Sequence, residues 1–176
     1  MSNVNDVTVT GRIVHLFQTN NGCIVTLSIY KNHPKFICFQ REAEYIMEHY
    51  SVGMIITLSG FVVSSCRGRG KYEQCIFCRE VLPTPEDSVS FRNDFVLEGV
   101  VTSICRSGEY SKFALLVNDD GHTAILQFNA LTQETMDITL GNKLTVRGYV
   151  TTKCKEKYGI KHFYQNFVGL RIVVHE

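Results

Sequence analysis

The sequence predicts an all-β protein with short helices, built as two five-stranded Greek-key barrels in tandem. Three features point to it. The chain repeats itself at a period of 88, which relates Gly53 to Gly141, Gly60 to Gly148, Phe61 to Tyr149 and Cys66 to Cys154. Within each copy, apolar and polar residues alternate with the period of a half-buried strand. A stretch with helical period lies between the third and fourth strands of the first copy.

At 176 residues the chain has room for two small domains, each near the lower limit for a self-sufficient core. Packing between the copies or between chains is therefore expected. A hydrophobic content of 44% with 20% charged residues describes an ordinary globular chain. The net charge of +1 gives no overall attraction for a polyanion, so any such site must come from local segregation of charge. The opening Met1-Ser2-Asn3-Val4-Asn5-Asp6 has neither the basic nor the apolar region of a secretory signal. No apolar run is long enough for a bilayer. Seven cysteines, an odd number, then suggest a reducing cytoplasm in which thiols act mostly as small buried hydrophobes.

In the first copy Val7, Val9, Gly11, Ile13 and Phe17 form one face of strand 1. Asn20-Asn21-Gly22 is a turn, and Val25, Leu27 and Ile29 form one face of strand 2. Lys31-Asn32-His33-Pro34 breaks that strand, and Phe36 to Phe39 is strand 3. From Arg41 to Tyr50 the apolar positions Ala43, Ile46, Met47 and Tyr50 fall on one helical face, and the helix ends before Gly53. Strand 4 runs from Gly53 through Gly60, and strand 5 from about Tyr72 to Val81. Three strands, a helix and two strands is the order of an OB-fold.

The domains are read as 1–82 and 95–176, joined by a proline-bearing linker over 83–94. In the second copy Phe113, Leu115 and Val117 match Val25, Leu27 and Ile29. The longer turn Asn118-Asp119-Asp120-Gly121 shifts the third strand to an offset of 89, which puts Phe128 on Phe39 and His122 on His33. The helical segment around Leu131, Thr135 and Ile138 is shorter and less apolar. The last strand runs from about Ile160 to Val174.

The chemistry concentrates in the hairpins joining strands 4 and 5. The first carries Arg67, Arg69, Lys71 and Tyr72; the second carries Lys153, Lys155, Lys157, Tyr158, Lys161 and His162. Only Glu73 and Glu156 oppose them. Cations that follow phosphates, beside rings that stack on bases, are what single-stranded nucleic acid requires. Cations at a hairpin tip also blunt edge pairing, but their repetition in both copies favours binding. Arg12, Tyr30, Lys31, His33, Lys35 and Phe39 are further candidates, with His122 and Phe128 in the second copy. Most strand phenylalanines are expected in the core. Tyr30, Tyr72, Tyr110, Tyr158 and Tyr164 flank loops and are expected at the surface.

No catalytic site is read: HExxH, GxxxxGK[ST] and any recognisable Cys-His or Ser-His constellation are missing. No cofactor is expected. Cys75-Ile76-Phe77-Cys78 suggests zinc, but residues three apart on a strand point to opposite faces and there is no second CxxC, so no metal is expected.

Val7-Thr8-Val9-Thr10-Gly11-Arg12-Ile13 resembles the opening strand of bacterial single-stranded DNA-binding proteins. Phe39 to Gly60, with Ala43-Glu44-Tyr45 and Gly53-x-x-Ile56-x-Leu58-x-Gly60, is similar to that family's strand 3, helix and strand 4. Leu140-Gly141-x-x-Leu144-x-Val146-x-Gly148 repeats the likeness. The resemblance implies sequence-tolerant binding and protection of single-stranded DNA in replication, recombination or repair, of a cell or a mobile element. It places Phe39 and Phe128 at a stacking position. His33 and His122 stand where the family often has Trp, and Arg67 and Lys155 fall near another such position. It further implies a homodimer with four OB units. The family's acidic C-terminal tail has no counterpart here, so tail-mediated recruitment is not expected. An OB adaptor in a primosome-like or conjugation complex and an RNA-binding OB protein are the alternatives.

Overall fold

In the computed structural model, which describes residues 3–66, 72–84 and 91–176, alternation becomes strand wherever the sequence carries it. The first copy forms β1 (Asn5–Thr19), β2 (Gly22–Ser28), β3 (Lys35–Phe39), helix α1 (Gln40–His49), β4 (Ile55–Cys66) and β5 (Tyr72–Leu82). The second forms β6 (Asn93–Ser107), β7 (Tyr110–Asp119), β8 (His122–Leu131), β9 (Lys143–Lys157) and β10 (Ile160–His175). A single 3-10 turn, Thr132–Thr135, stands where the first copy has its helix. Each set of strands closes on itself, in the order β1-β2-β3-β5-β4 and β6-β7-β8-β10-β9. The chain is two tandem OB-fold barrels.

The inward residues of each set, among them Val7, Val25, Phe36 and Ile76 in one barrel and Phe95, Phe113, Phe128 and Phe167 in the other, are fully buried. Helix α1 adds Ala43 and Ile46 to the first core. In the second barrel the end of the 3-10 turn is held by Arg106, whose guanidinium donates to the carbonyls of Thr135 (3.0 Å) and Ile138 (2.7 Å).

Both barrels bend where the repeat says they should. The pairing of β1 with β2 slips between Ile13 and His15, and that of β6 with β7 between Val101 and Ser103. Such bulges let one strand serve two neighbours. Here the slip turns Phe17, expected in the core, outward to 65% exposure. A Cβ on Gly60 would overlap the carbonyl oxygen of Phe77, and one on Gly148 that of Val168. Glycine is required at both because β4 and β9 cross their partners too closely for a side chain.

The barrels join through an antiparallel ladder between β1 and β6, from Asn5↔Leu97 to Val9↔Asn93. Val7 pairs with Phe95, its own counterpart under the 88-residue repeat, so a local two-fold axis passes between them. Two asparagines make this possible. The main chain of Asn5 serves β6, while its side chain continues the ladder of β4: Nδ2 donates to the Val62 carbonyl and Oδ1 accepts the Val62 N–H, both at 2.9 Å. Asn93 does the same with Val150, at 2.8 and 2.9 Å.

Candidate nucleic-acid interface

The β9–β10 hairpin turns at Tyr158-Gly159, both at positive φ (53° and 74°), the conformation of a tight type I′ turn. From there back to the barrel its two faces differ. Lys153 lies opposite Tyr164, Lys155 opposite His162 and Lys157 opposite Ile160. These residues share one side of the ribbon, because cross-strand partners point the same way. The Lys155 ammonium lies 5.8 Å from the centre of the Tyr164 ring, and that of Lys157 lies 5.4 Å from Tyr158. This side therefore offers three exposed cations interleaved with rings. The other side carries Thr152, Phe163, Gln165 and Lys161, the last opposite Glu156.

That second side faces the first barrel. The His33 N–H donates to Thr152 Oγ1 at 2.9 Å, and the rings of His33 and Phe163 are 6.2 Å apart. The Lys35 N–H donates to Gln165 Oε1 at 3.3 Å. The contact is reciprocal: Gln74 of β5 donates to the Gln127 carbonyl at 2.9 Å and accepts the Gln127 N–H. Each barrel thus sends a glutamine from its fifth strand to the third strand of the other. Neither glutamine stood out in the sequence, because their spacing of 91 departs from the 88-residue repeat. Arg79, which binds Asp6 at 2.5 Å and Asp119 at 2.9 Å, adds an ionic tie across the same boundary.

The structure disperses the candidate residues. Lys153, Lys155, Lys157, Tyr158 and His162 come together at the exposed hairpin; Lys161 falls on its opposite side. Tyr30 (86% exposed) and Lys31 form the tip of the β2–β3 turn, and His33 and Lys35 continue from it into the junction between barrels. Arg12 donates to the Gly53 carbonyl at 2.6 Å, at the end of β4 remote from Cys66. Arg67, Arg69 and Lys71 lie outside the described residues; Tyr72 opens β5. Tyr110 and Tyr164 are exposed as expected.

Two expectations are corrected. Phe128 is 1% exposed and stacks on Phe113 inside the second core, so it offers no face to a base. Phe128 pairs with Phe113 as Phe36 pairs with Val25, which makes Phe36, at an offset of 92, its counterpart. His122 sits beside the β7–β8 turn, opposite Asp119, and the counterpart of His33 is Ile125. The counterpart of Phe39 is Leu131. Phe39 itself does face outward, 39% exposed, with its ring edge-on to Phe77 at 5.2 Å. Phe77 in turn meets Phe61 at 5.8 Å. These two outward rings were not singled out, because their face depends on register.

The thiols are packing groups in the first barrel. Cys78 points inward to Cys38, which is also the cross-strand partner of Cys23. Hydrogen bonding to Cys23 and Cys78, with burial, pushes the Cys38 thiol up and keeps it neutral. Cys75 faces the other way. Among the described residues no group of three His, Cys, Asp or Glu side chains is placed to hold a metal. No helix among them is long and apolar enough to cross a membrane.

A pair of OB barrels with a ring-lined cationic hairpin defines a class of fold, and comparison with solved structures makes it more specific. A deletion mutant of the single-stranded DNA binding protein from Thermus aquaticus superimposes with a TM-score of 0.74 at 16% identity, covering 99% of this chain and 96% of that one. The wild-type form of that protein gives a TM-score of 0.73 at 15% identity, covering 100% and 95%. At such identities the likeness is one of fold alone. No protein-family model and no curated protein matches the sequence.

Proposed function

We propose that this protein binds single-stranded DNA with little sequence preference and protects it during replication, recombination or repair. The observation that supports this best is the whole-chain likeness to the T. aquaticus single-stranded DNA binding protein. The ordered hairpin face of Lys153, Lys155, Lys157 and Tyr164 gives that likeness a chemical reason. Lysines set along one side of a projecting ribbon can follow a phosphate chain, and a ring between them can accept a base. Each barrel, 1–82 and 95–176 with 83–94 between them, acts as one binding unit. The working form is a cytoplasmic homodimer with four such units. It carries out no chemistry on the strand and needs no cofactor.

Fluorescence anisotropy with labelled oligo-dT and a duplex of equal length tests the reading. Tight binding to oligo-dT, weaker by far for the duplex, is expected. With four to six phosphate contacts, log K should fall against log salt with a slope of roughly 3 to 4. Equal affinity for duplex and single strand would defeat the proposal. A clear preference for oligo-U would move it to RNA.

A further inference from the structure

A row of outward side chains crosses the five strands of each barrel in strict register, and the two rows differ in kind. In the first barrel the row runs Phe17, Ile24, Ile37, Phe77, Phe61. Every member is apolar and three are aromatic, in the direction perpendicular to the strands. In the second barrel the row runs Cys105, Lys112, Asn129, Val168, Tyr149, so Lys112 and Asn129 stand in place of Ile24 and Ile37 while Val168 and Tyr149 keep the positions of Phe77 and Phe61 apolar. Asn166 and Thr151 likewise replace Cys75 and Val63 in the next row.

The polar positions continue into the hairpin. Asn129 Nδ2 donates to Asn166 Oδ1 at 2.8 Å, and beyond them come Tyr164 and Lys153. A cleft of about 220 Å³ opens here, bordered by Lys112, Lys153, Lys155 and Tyr164. Glu73 and Gln74 of the first barrel close one side of it.

We infer that the two barrels divide the strand between them: the first holds bases on its phenylalanines, and the second holds phosphates on Lys112, Lys153 and Lys155. This deepens the single-strand reading and rests on it. An apolar row whose Phe61 and Phe77 rings lie 5.8 Å apart, with Phe39 flanking Phe77 at 5.2 Å, suits bases, whose faces are apolar whatever their sequence. Among the described residues the cation set over its rings, Arg79 at 4.9 Å from the centre of Phe61, is already bound by Asp6 and Asp119. The lysines of the second barrel have the converse character.

Two oligonucleotides of one length, oligo-dT and a chain of abasic residues, separate the contributions. Phe61→Leu/Phe77→Leu keeps apolar bulk and removes the rings. It should weaken oligo-dT roughly 30-fold, two stacks at the low end of their range, while leaving abasic binding and the salt slope unchanged. Lys112→Ala/Lys153→Ala/Lys155→Ala should weaken both ligands alike and lower the slope by about 2. Phe17→Ala, at a ring that is mostly exposed, gives a ring-loss variant without risk to the core. The division is overturned if the leucine pair lowers the slope, or leaves the dT-to-abasic ratio unchanged. It is also overturned if the pair alters the oligomeric state with DNA binding intact, since the row would then be covered by a second copy. Failure of the wild-type protein to bind oligo-dT would instead remove the single-strand reading itself.

Discussion

Asn5 and Asn93 occupy equivalent places and do equivalent work, yet their surroundings differ enough to separate them by experiment. Each lets a strand leave its own barrel without abandoning the neighbour's backbone N–H and carbonyl. Asn5 is 5% exposed, so its loss leaves the Val62 groups without water; Asn93 is half-buried. Asn5→Ala should therefore cost about 2–4 kcal/mol, from the desolvation of two unpaired backbone groups, and Asn93→Ala about half of that. A drop in melting temperature of roughly 5–10 °C for the first, clearly exceeding the second, is expected. Equal losses would mean that the side chains do not carry the ladder. Neither residue stood out in the sequence, although they are 88 apart, because polar residues ahead of an apolar run read as chain before a strand. Phe17 misled for a related reason. Alternation places it inward, and only the slip after Ile13 reverses it.

At the scale of elements, the repeat was legible where lengths agree and misleading where they do not. An offset of 88 holds for β1, β2 and β4 and their counterparts. The β7–β8 hairpin is longer than β2–β3 by two residue pairs, since Ile29 pairs with Asn32 but Val117 with Ala124. That raises the offset of the third strand by four, to 92, and the shortening of the helix to a 3-10 turn takes the four back before β9. Insertion and loss cancel, so the sequence shows an unbroken period on either side. Phe128 then aligns with the nearest phenylalanine rather than the right one. The glycines were easier to read, because a close crossing permits nothing else. Gly148→Ala must push β9 from the Val168 carbonyl and should cost about 3 kcal/mol or more, as overpacking does at its upper end. Gly121→Ala, where a Cβ meets nothing and only the positive φ resists, should cost about 1 kcal/mol. Urea unfolding orders the two, and the reverse order would mean that the β9–β10 crossing yields easily.

Two unlike devices stand out among those that hold the barrels together: one shared ladder along β1 and β6, and the glutamine exchange between fifth and third strands. The ladder makes one sheet of ten strands, so both barrels should unfold together in a single transition. The exchange fixes the angle between them, and with it the alignment of the apolar and cationic rows. Its two halves are equivalent in topology but not in strength. Gln74 holds the Gln127 backbone through short bonds, whereas Gln165 reaches Lys35 at 3.3 Å and the His33 carbonyl at 3.4 Å. At about 1 kcal/mol per well-formed bond, Gln74→Ala should cost about 2 kcal/mol and Gln165→Ala less than about 1. Thermal unfolding should remain a single transition in both variants, with the larger shift for Gln74→Ala. A split transition in either would show that the β1–β6 ladder alone cannot couple the barrels, and that the glutamines rather than the shared sheet make the pair one cooperative unit.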